Sequence, residues 1–80
     1  MTLDKLAPGK SAKITSVGGE GTLRLRLLDM GLTPKTVVKI IKVAPMGDPI
    51  ELFLRGYSLT IRLDDAKNIS IEPINDDSRE

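Results

Sequence analysis

The 80-residue sequence contains no cysteine and no histidine. Without cysteine the chain can form neither a disulfide framework nor a thiolate metal site. Without histidine it lacks the commonest general base and the commonest side-chain ligand of transition metals. No nucleophile stands at a recognisable spacing from a base, and we therefore expect no enzyme activity, no cofactor and no dedicated metal site.

Aromatic side chains and net charge are also scarce. The only aromatic residues are Phe53 and Tyr57, whereas a groove for proline-rich peptides or a platform for stacked bases needs several rings. The formal charge is +1, and residues 1–72 carry +3 because the end of the chain is acidic. That excess is too small to indicate a nucleic-acid partner, and we expect none.

Long apolar runs are missing as well. No stretch reaches the ~18 consecutive apolar residues that indicate a transmembrane helix. The opening stretch, MTLDKLAPGK, lacks the apolar core of a signal peptide. We therefore expect a cytoplasmic protein.

The sequence does contain short strand patterns separated by turn residues. Aliphatic residues predict strands at 11–17, 37–43 and 69–73. The segment LDDAKN, residues 63–68, predicts a single helical turn that Asp64 caps with its own carboxylate.

One segment, residues 22–30, has the period of a helix. Leu23, Leu27 and Met30 recur on one helical face. Gly31 is expected to end this helix, because glycine adopts the left-handed conformation at little cost and lets the next residue fold back onto the last turn.

Residues 50–63 predict a β-hairpin. We place Gly56 and Tyr57 at the turn, because glycine at the first central position suits a type II′ turn. This register gives three apolar pairs on the inner face: Ile50–Leu63, Leu52–Ile61 and Leu54–Leu59. On the outer face Glu51 would lie opposite Arg62, and a slip of one residue would turn charges toward the core.

Together these patterns predict a mainly β fold. We expect a small, partly open barrel of about five strands, with one α-helix inserted after the first strand. An open α+β sandwich is the alternative. Residues 1–73 would form a single domain, and residues 74–80 a flexible polar C-terminal tail.

Three blocks of the sequence resemble the family of ferrous iron transport protein A, FeoA. They are LRLRLLDMGLTP, VAPMGDPIEL and LRGYSLTIRLDDAKNISIE, and they stand in the family's order and spacing. The resemblance implies an SH3-like barrel and a small cytoplasmic accessory protein of bacterial ferrous iron uptake. Its partner would be the cytoplasmic side of FeoB, a membrane transporter with a GTP-binding domain, and this chain would reach the membrane only through that partner.

The chain departs from the family pattern at Lys35, where glycine is usual after the proline of LTPG. A lysine at positive φ would be strained, so we expect a type I turn here instead of type II. The same fold also occurs in iron-dependent repressors beside a DNA-binding domain. An alternative function is therefore a stand-alone interaction module in metal-dependent transcription regulation or nucleic-acid-associated assembly. A weak carboxylate-only iron site at Asp48, Asp64 or Asp65 is a further hypothesis.

Seven residues are candidates for contact with a partner, because they combine charge, exposed aromatic character or an adaptable thioether with turn or helix-end positions. They are Arg24, Arg26, Asp29, Met46, Asp48, Arg55 and Tyr57. The free edges of an open barrel also allow pairing with a second copy of the chain.

Every candidate except Arg55 has a simpler structural explanation. Arg24 and Arg26 fit a solvated helix face, and Asp29 fits an ion pair with a nearby lysine or arginine. The loop at 44–49 fits turn chemistry alone. Tyr57 fits a ring packed beside the barrel with its hydroxyl in water.

Overall fold

The computed structural model of the protein describes residues 1–74. A 3-10 turn at Leu3–Lys5 comes before the first strand. The elements that follow are β1 (Ser11–Val17), α1 (Thr22–Asp29), β2 (Val37–Val43), β3 (Ile50–Leu54), β4 (Tyr57–Ile61), α2 (Leu63–Ala66) and β5 (Ile69–Ile74). The predicted five strands with a helix after the first are confirmed, and α2 is the expected single helical turn.

All five strands belong to one antiparallel sheet in the order β4-β3-β2-β1-β5. Alternate residues of each strand point to one side, where they are buried together with Leu27 of α1 and Leu32. The buried strand residues include Ala12, Ile14, Val38, Ile40, Ile50, Leu52, Leu54, Ile61, Ile69 and Ile71. Each strand therefore contributes its aliphatic face to one shared interior, as the alternation predicts.

The helix end lies where the sequence places it. Gly31 has a φ of 96°, which is the left-handed region that glycine tolerates. The amide of Leu32 donates to the carbonyl of Leu27 at 3.1 Å. The amide of Gly31 donates to the carbonyl of Leu28 at 3.0 Å. These two bonds form a Schellman motif, so carbonyls at the helix end find partners within the chain.

The turn after the helix differs from the expectation. Lys35 has a φ of 76°, and the amide of Thr36 donates to the carbonyl of Thr33 at 3.1 Å. Positive φ at the third residue of a β-turn is the type II pattern, so the predicted type I turn is wrong. The amide of Lys35 donates to Ile14 in β1 at 2.7 Å, and this bond ties the turn to the sheet.

The hairpin forms with a register two residues away from the predicted one. Leu52 pairs with Leu59 and Leu54 with Tyr57, so the turn residues are Arg55 and Gly56. Both have positive φ, at 49° and 88°, as a type I′ turn requires. Side chains alternate with a period of two, and a two-residue shift keeps every aliphatic residue on the inner face. The hydrophobic pattern could not distinguish the two registers, and the turn decided between them.

The true register also changes the charge pairing. Glu51 lies opposite Thr60 in the hairpin and approaches Lys42 of β2 at 3.7 Å. Arg62 falls beyond the end of β4, where it is the residue before α2. The predicted Glu51–Arg62 pair is therefore wrong.

The last described strand extends to Ile74, which pairs with Ser11 of β1. It runs one residue past the predicted end of the domain. The rest of the expected flexible tail, residues 75–80, lies outside the described residues.

Candidate functional site

The hairpin tip is attached to the end of α1. The Tyr57 hydroxyl donates to the backbone carbonyl of Met30 at 2.6 Å. This carbonyl lies at the helix C-terminus, where the helix leaves carbonyls without intrahelical partners. The predicted placement of the hydroxyl in water is therefore wrong, although 43% of Tyr57 stays exposed.

Arg55 connects the same tip to the turn after α1. Its guanidinium donates to Thr33 Oγ1 at 3.0 Å and to Thr36 Oγ1 at 2.9 Å. The two hydroxyls are themselves 2.8 Å apart, and Thr36 is buried. These bonds to a charged donor hold the left-handed Arg55 in place. Much of the hydrogen-bonding capacity of Arg55 is thus used inside the fold.

An open groove of about 740 Å³ lies between α1, the end of β4 and α2. Pro49 directly precedes β3, whose first residue, Ile50, pairs with Ile61 at the end of β4. The lining residues are Arg26, Met30, Pro49, Thr60, Ile61, Arg62, Asp64 and Asp65. The groove brings a helix, a strand end and a helical turn to one place on the surface.

Ion pairs compensate most of the charges in this groove. Arg26 of α1 donates to Asp65 of α2 at 3.0 Å, and the Asp65 side chain is only 14% exposed. Asp64 lies 3.8 Å from Lys67 within the helical turn. Arg62, by contrast, makes no side-chain hydrogen bond or ion pair with any of residues 1–74. One positive charge in the groove is left without a partner in the described part of the chain.

The loop at 44–49 borders the groove on another side. Met46 at its tip is 90% exposed. Asp48 Oδ1 accepts the backbone amide of Leu63, the first residue of α2, at 3.0 Å. A carboxylate at this position satisfies an amide that the helix leaves unpaired. The predicted cap by Asp64 is therefore wrong, since the cap comes from a distant loop.

The remaining helix candidates lie on the exposed side of α1. Arg24 Nε donates to the carbonyl of Val17 at the end of β1, at 3.1 Å. Asp29 is exposed and forms no ion pair with any of residues 1–74, so the expected ion pair is not seen within that range. A shallow depression next to this side is lined by Thr22, Leu23, Leu25, Arg26 and Asp29.

Four of the seven candidates form two groups. Arg26 and Asp48 meet at α2, beside the groove. Arg55 and Tyr57 meet at the hairpin tip, where both bind the segment that follows α1. Arg24 lies apart from both groups on the helix surface, and the contact roles of all seven residues remain predictions.

Sequence reasoning missed Arg62. The wrong register paired this residue with Glu51 and so removed it from consideration. The dipeptide Arg55-Gly56, with glycine at the second central position, was the signal for a type I′ turn. With that turn, Arg62 falls beyond the paired strand and into the groove.

A second exposed surface is the outer face of the sheet. Val37, Ile41 and Phe53 are each between 43% and 50% exposed there. Lys39 pairs with Phe53 across β2 and β3 and is also exposed. This face is separate from the groove.

Within residues 1–74, no three acidic side chains come together where they could hold a metal ion. The carboxylates of Asp48, Asp64 and Asp65 each have a protein partner. In the same range, no helix has the length and apolar character needed to cross a membrane.

Comparison with known proteins gives one consistent family. The family model of the FeoA domain matches residues 1–73. The chain is 33% identical over 75 residues to a Porphyromonas gingivalis protein (strain ATCC BAA-308 / W83) named as a fusion of Fe(2+) transport protein A with the Fe(2+) transporter FeoB. The match covers 94% of this chain but only 9% of that relative.

Solved structures agree with this match. An FeoA-like protein from Clostridium acetobutylicum is 35% identical, with a TM-score of 0.88, and the alignment covers 100% of this chain and 93% of that one. The zinc-complexed FeoA of Stenotrophomonas maltophilia, described as a prokaryotic SH3 domain protein, is 24% identical with a TM-score of 0.79. That alignment covers 90% of this chain and 89% of the other. The expected SH3-like fold is confirmed.

Proposed function

This chain belongs to the FeoA family, and from that premise we propose that it is a cytoplasmic accessory protein of ferrous iron uptake. It acts by binding the cytoplasmic region of a FeoB-like transporter, and it reaches the membrane only through that partner. The proposal is one of binding: the chain supplies surfaces, and the transporter supplies the GTP-binding domain and the iron pathway.

The observation that carries this proposal is the fused relative. In the Porphyromonas gingivalis protein, a segment similar to this chain and a FeoB transporter share one polypeptide. Joining two modules raises their effective concentration to about the millimolar range when the linker spans the sites. A fusion of this kind supports an association between the separate proteins.

The surface we assign to this contact includes the exposed side of α1, the loop at 44–49 beside the groove, and the hairpin tip. Arg24 and Arg26 offer positive charge on α1, and Asp29 lies on the same helix. Met46 offers an adaptable apolar side chain at a loop tip that Asp48 fixes to α2. Arg55 and Tyr57 contribute mainly by holding the hairpin against the end of α1.

The direct test is calorimetric titration of the protein with the purified cytoplasmic region of its FeoB-like transporter. We expect saturable binding, and at least about tenfold weaker binding for Arg24→Glu/Arg26→Glu, because the reversed charges oppose an acidic partner surface. The control is Lys13→Glu/Lys39→Glu, which makes the same change in net charge on two exposed strand residues.

The outcomes separate cleanly. If wild-type protein does not bind the transporter region, the proposed function is wrong. If it binds and the helix variant binds equally well, the basic surface of α1 is not the contact. Far-UV circular dichroism of both variants checks that the loss of the Arg26–Asp65 ion pair, whose carboxylate is only 14% exposed, has not unfolded the chain.

A further inference from the structure

The sheet has one free edge beside the groove. β4 is the outermost strand on its side and pairs only with β3. In an antiparallel ladder, the residues that exchange hydrogen bonds alternate with residues whose backbone groups point away. Because Leu54 and Tyr57 flank a two-residue turn, Ser58 and Thr60 direct their amides and carbonyls away from β3. No backbone bond beyond the sheet ladder uses these groups within residues 1–74.

The two edges of the sheet are protected very differently. At the β5 edge, the carbonyl of Met1 accepts a hydrogen bond from the amide of Ile71 at 2.8 Å. Thr2 forms an isolated β-bridge with Ser70. β5 also carries a charge and a proline within its sequence ISIEPI. Charges, prolines and covering segments are the devices that keep edge strands from pairing with other chains.

β4 has none of these devices within its five residues, YSLTI. It contains no charged residue and no proline, and its pairing with β3 is regular, without a bulge. Its side chains at Ser58 and Thr60 are exposed. An edge of this kind offers a template for one more strand.

The groove places a docking space along the end of this edge. Thr60, Ile61 and Arg62 line it on one side, and Arg26 and Met30 of α1 line it on the other. An extended segment laid into the groove from Arg62 toward Tyr57 would meet backbone hydrogen-bonding groups of β4. The walls from α1 and α2 would limit which side chains fit.

The charges of the groove specify the segment further. Arg26 is paired with Asp65, and Asp64 lies near Lys67. Arg62 is exposed and has no such partner within residues 1–74. An acidic side chain complements the charge that remains.

We propose that an extended segment of the transporter's cytoplasmic region, carrying an acidic residue, adds to β4 as a further antiparallel or parallel strand. Its backbone pairs with Ser58 and Thr60, and its carboxylate pairs with Arg62. This inference rests on the proposed function and names the surface through which that function is performed.

Two measurements on the intact protein test the inference. The first is residue-resolved amide hydrogen exchange by NMR, with and without the purified transporter region. We expect the amides of Ser58 and Thr60 to exchange at least about tenfold more slowly in the complex, since new hydrogen bonds protect them. The amides of the outer-face residues Val37 and Lys39 serve as internal references.

The second measurement is the affinity of Arg62→Glu, with Lys39→Glu as the matched control. Both replacements change net charge equally at exposed strand-end or strand residues. We expect Arg62→Glu to weaken binding by about tenfold or more and Lys39→Glu by less than about threefold, because only Arg62 would face the carboxylate.

Each outcome decides the matter. Binding that leaves the exchange of Ser58 and Thr60 unchanged overturns the edge site and leaves the proposed function standing. Absence of binding by wild-type protein overturns both. Protection of the two amides that grows with the concentration of the protein alone means that a second copy occupies the edge, and this also overturns the inference.

Discussion

At the scale of single residues, two side chains occupy backbone conformations that favour glycine. Lys35 and Arg55 have φ values of 76° and 49°, and the left-handed conformation costs an L-residue about 1–2 kcal/mol. Arg55 offsets this cost with hydrogen bonds from its guanidinium to Thr33 and Thr36. Lys35 contributes a backbone amide bond to Ile14, which any residue other than proline could make. The strain at Lys35 is therefore not offset by its own side chain.

We expect Lys35→Gly to stabilise the protein by about 0.5–1 kcal/mol, because the relief of strain exceeds the entropy that glycine loses on folding. Urea denaturation followed by circular dichroism measures the difference. Lys35→Ala is the control, since it removes the same charge and keeps Cβ. A glycine variant no more stable than the alanine variant would contradict the argument.

At the scale of elements, the end of α1 and the hairpin tip depend on each other. Gly31 and Gly56 have similar φ values of 96° and 88°, but their surroundings differ. A Cβ at Gly56 would meet no atom within 4 Å, whereas one at Gly31 would run into the Tyr57 hydroxyl. That hydroxyl is the group that binds Met30. The hairpin tip can approach the helix end this closely because Gly31 has no side chain.

We expect Gly56→Ala to cost about 1–2 kcal/mol from backbone strain alone. Gly31→Ala should cost about 1–3 kcal/mol more, because the added methyl also forces the tyrosine away. Chemical denaturation of both variants measures the difference. Adding Tyr57→Phe to Gly31→Ala should cost less than the sum of the two single changes. Equal costs for the two glycine variants would show that the contact with Tyr57 is unimportant.

Local signals predicted the elements well. The helix end at Gly31 and the inward faces of the strands follow from conformational preference and a period of two, and both were predictable. The hairpin register could not be predicted from the hydrophobic pattern, because the two candidate registers bury the same aliphatic residues. The cap of α2 by Asp48 could not be predicted either. The Asp48 carboxylate and the Leu63 amide are brought together only by the tertiary fold.

The candidate site was predictable only in part, because its contacts also join residues that are far apart in the sequence. Arg26 was found from its place on the helix, but its partner Asp65 lies 39 residues away. Arg55 was predicted as a contact residue, whereas the structure uses its guanidinium to hold two threonines. Arg62 was missed because the predicted register paired it with Glu51. Charge and exposure can be read from sequence patterns, while the pairing of charges depends on the assembled fold.

At the scale of the whole molecule, stability rests on one small interior. Leu52 is fully buried, whereas Leu25 on α1 is 59% exposed. Replacement of a buried leucine by alanine costs about 2–5 kcal/mol, and a domain of this size unfolds with a total of only about 4–12 kcal/mol.

We therefore expect Leu52→Ala to lower the melting temperature by at least about 10 °C, since each kcal/mol corresponds to about 4–8 °C in a small domain. Leu25→Ala is the matched control and should change stability by no more than about 0.5 kcal/mol. Thermal unfolding followed by circular dichroism measures both variants. Similar melting temperatures would contradict the assignment of Leu52 to the core.

The pairing of β1 with β5 also determines when the chain can fold during its synthesis. Ile69 and Ile71 belong to the interior, and β5 forms most of its ladder with β1, the first strand to be translated. The strands that emerge from the ribosome first therefore cannot complete the interior, and their aliphatic residues stay uncovered until β5 has left the exit tunnel. Translation adds about 5–20 residues per second, so this interval lasts seconds, and the uncovered aliphatic residues are open to misassembly during that time.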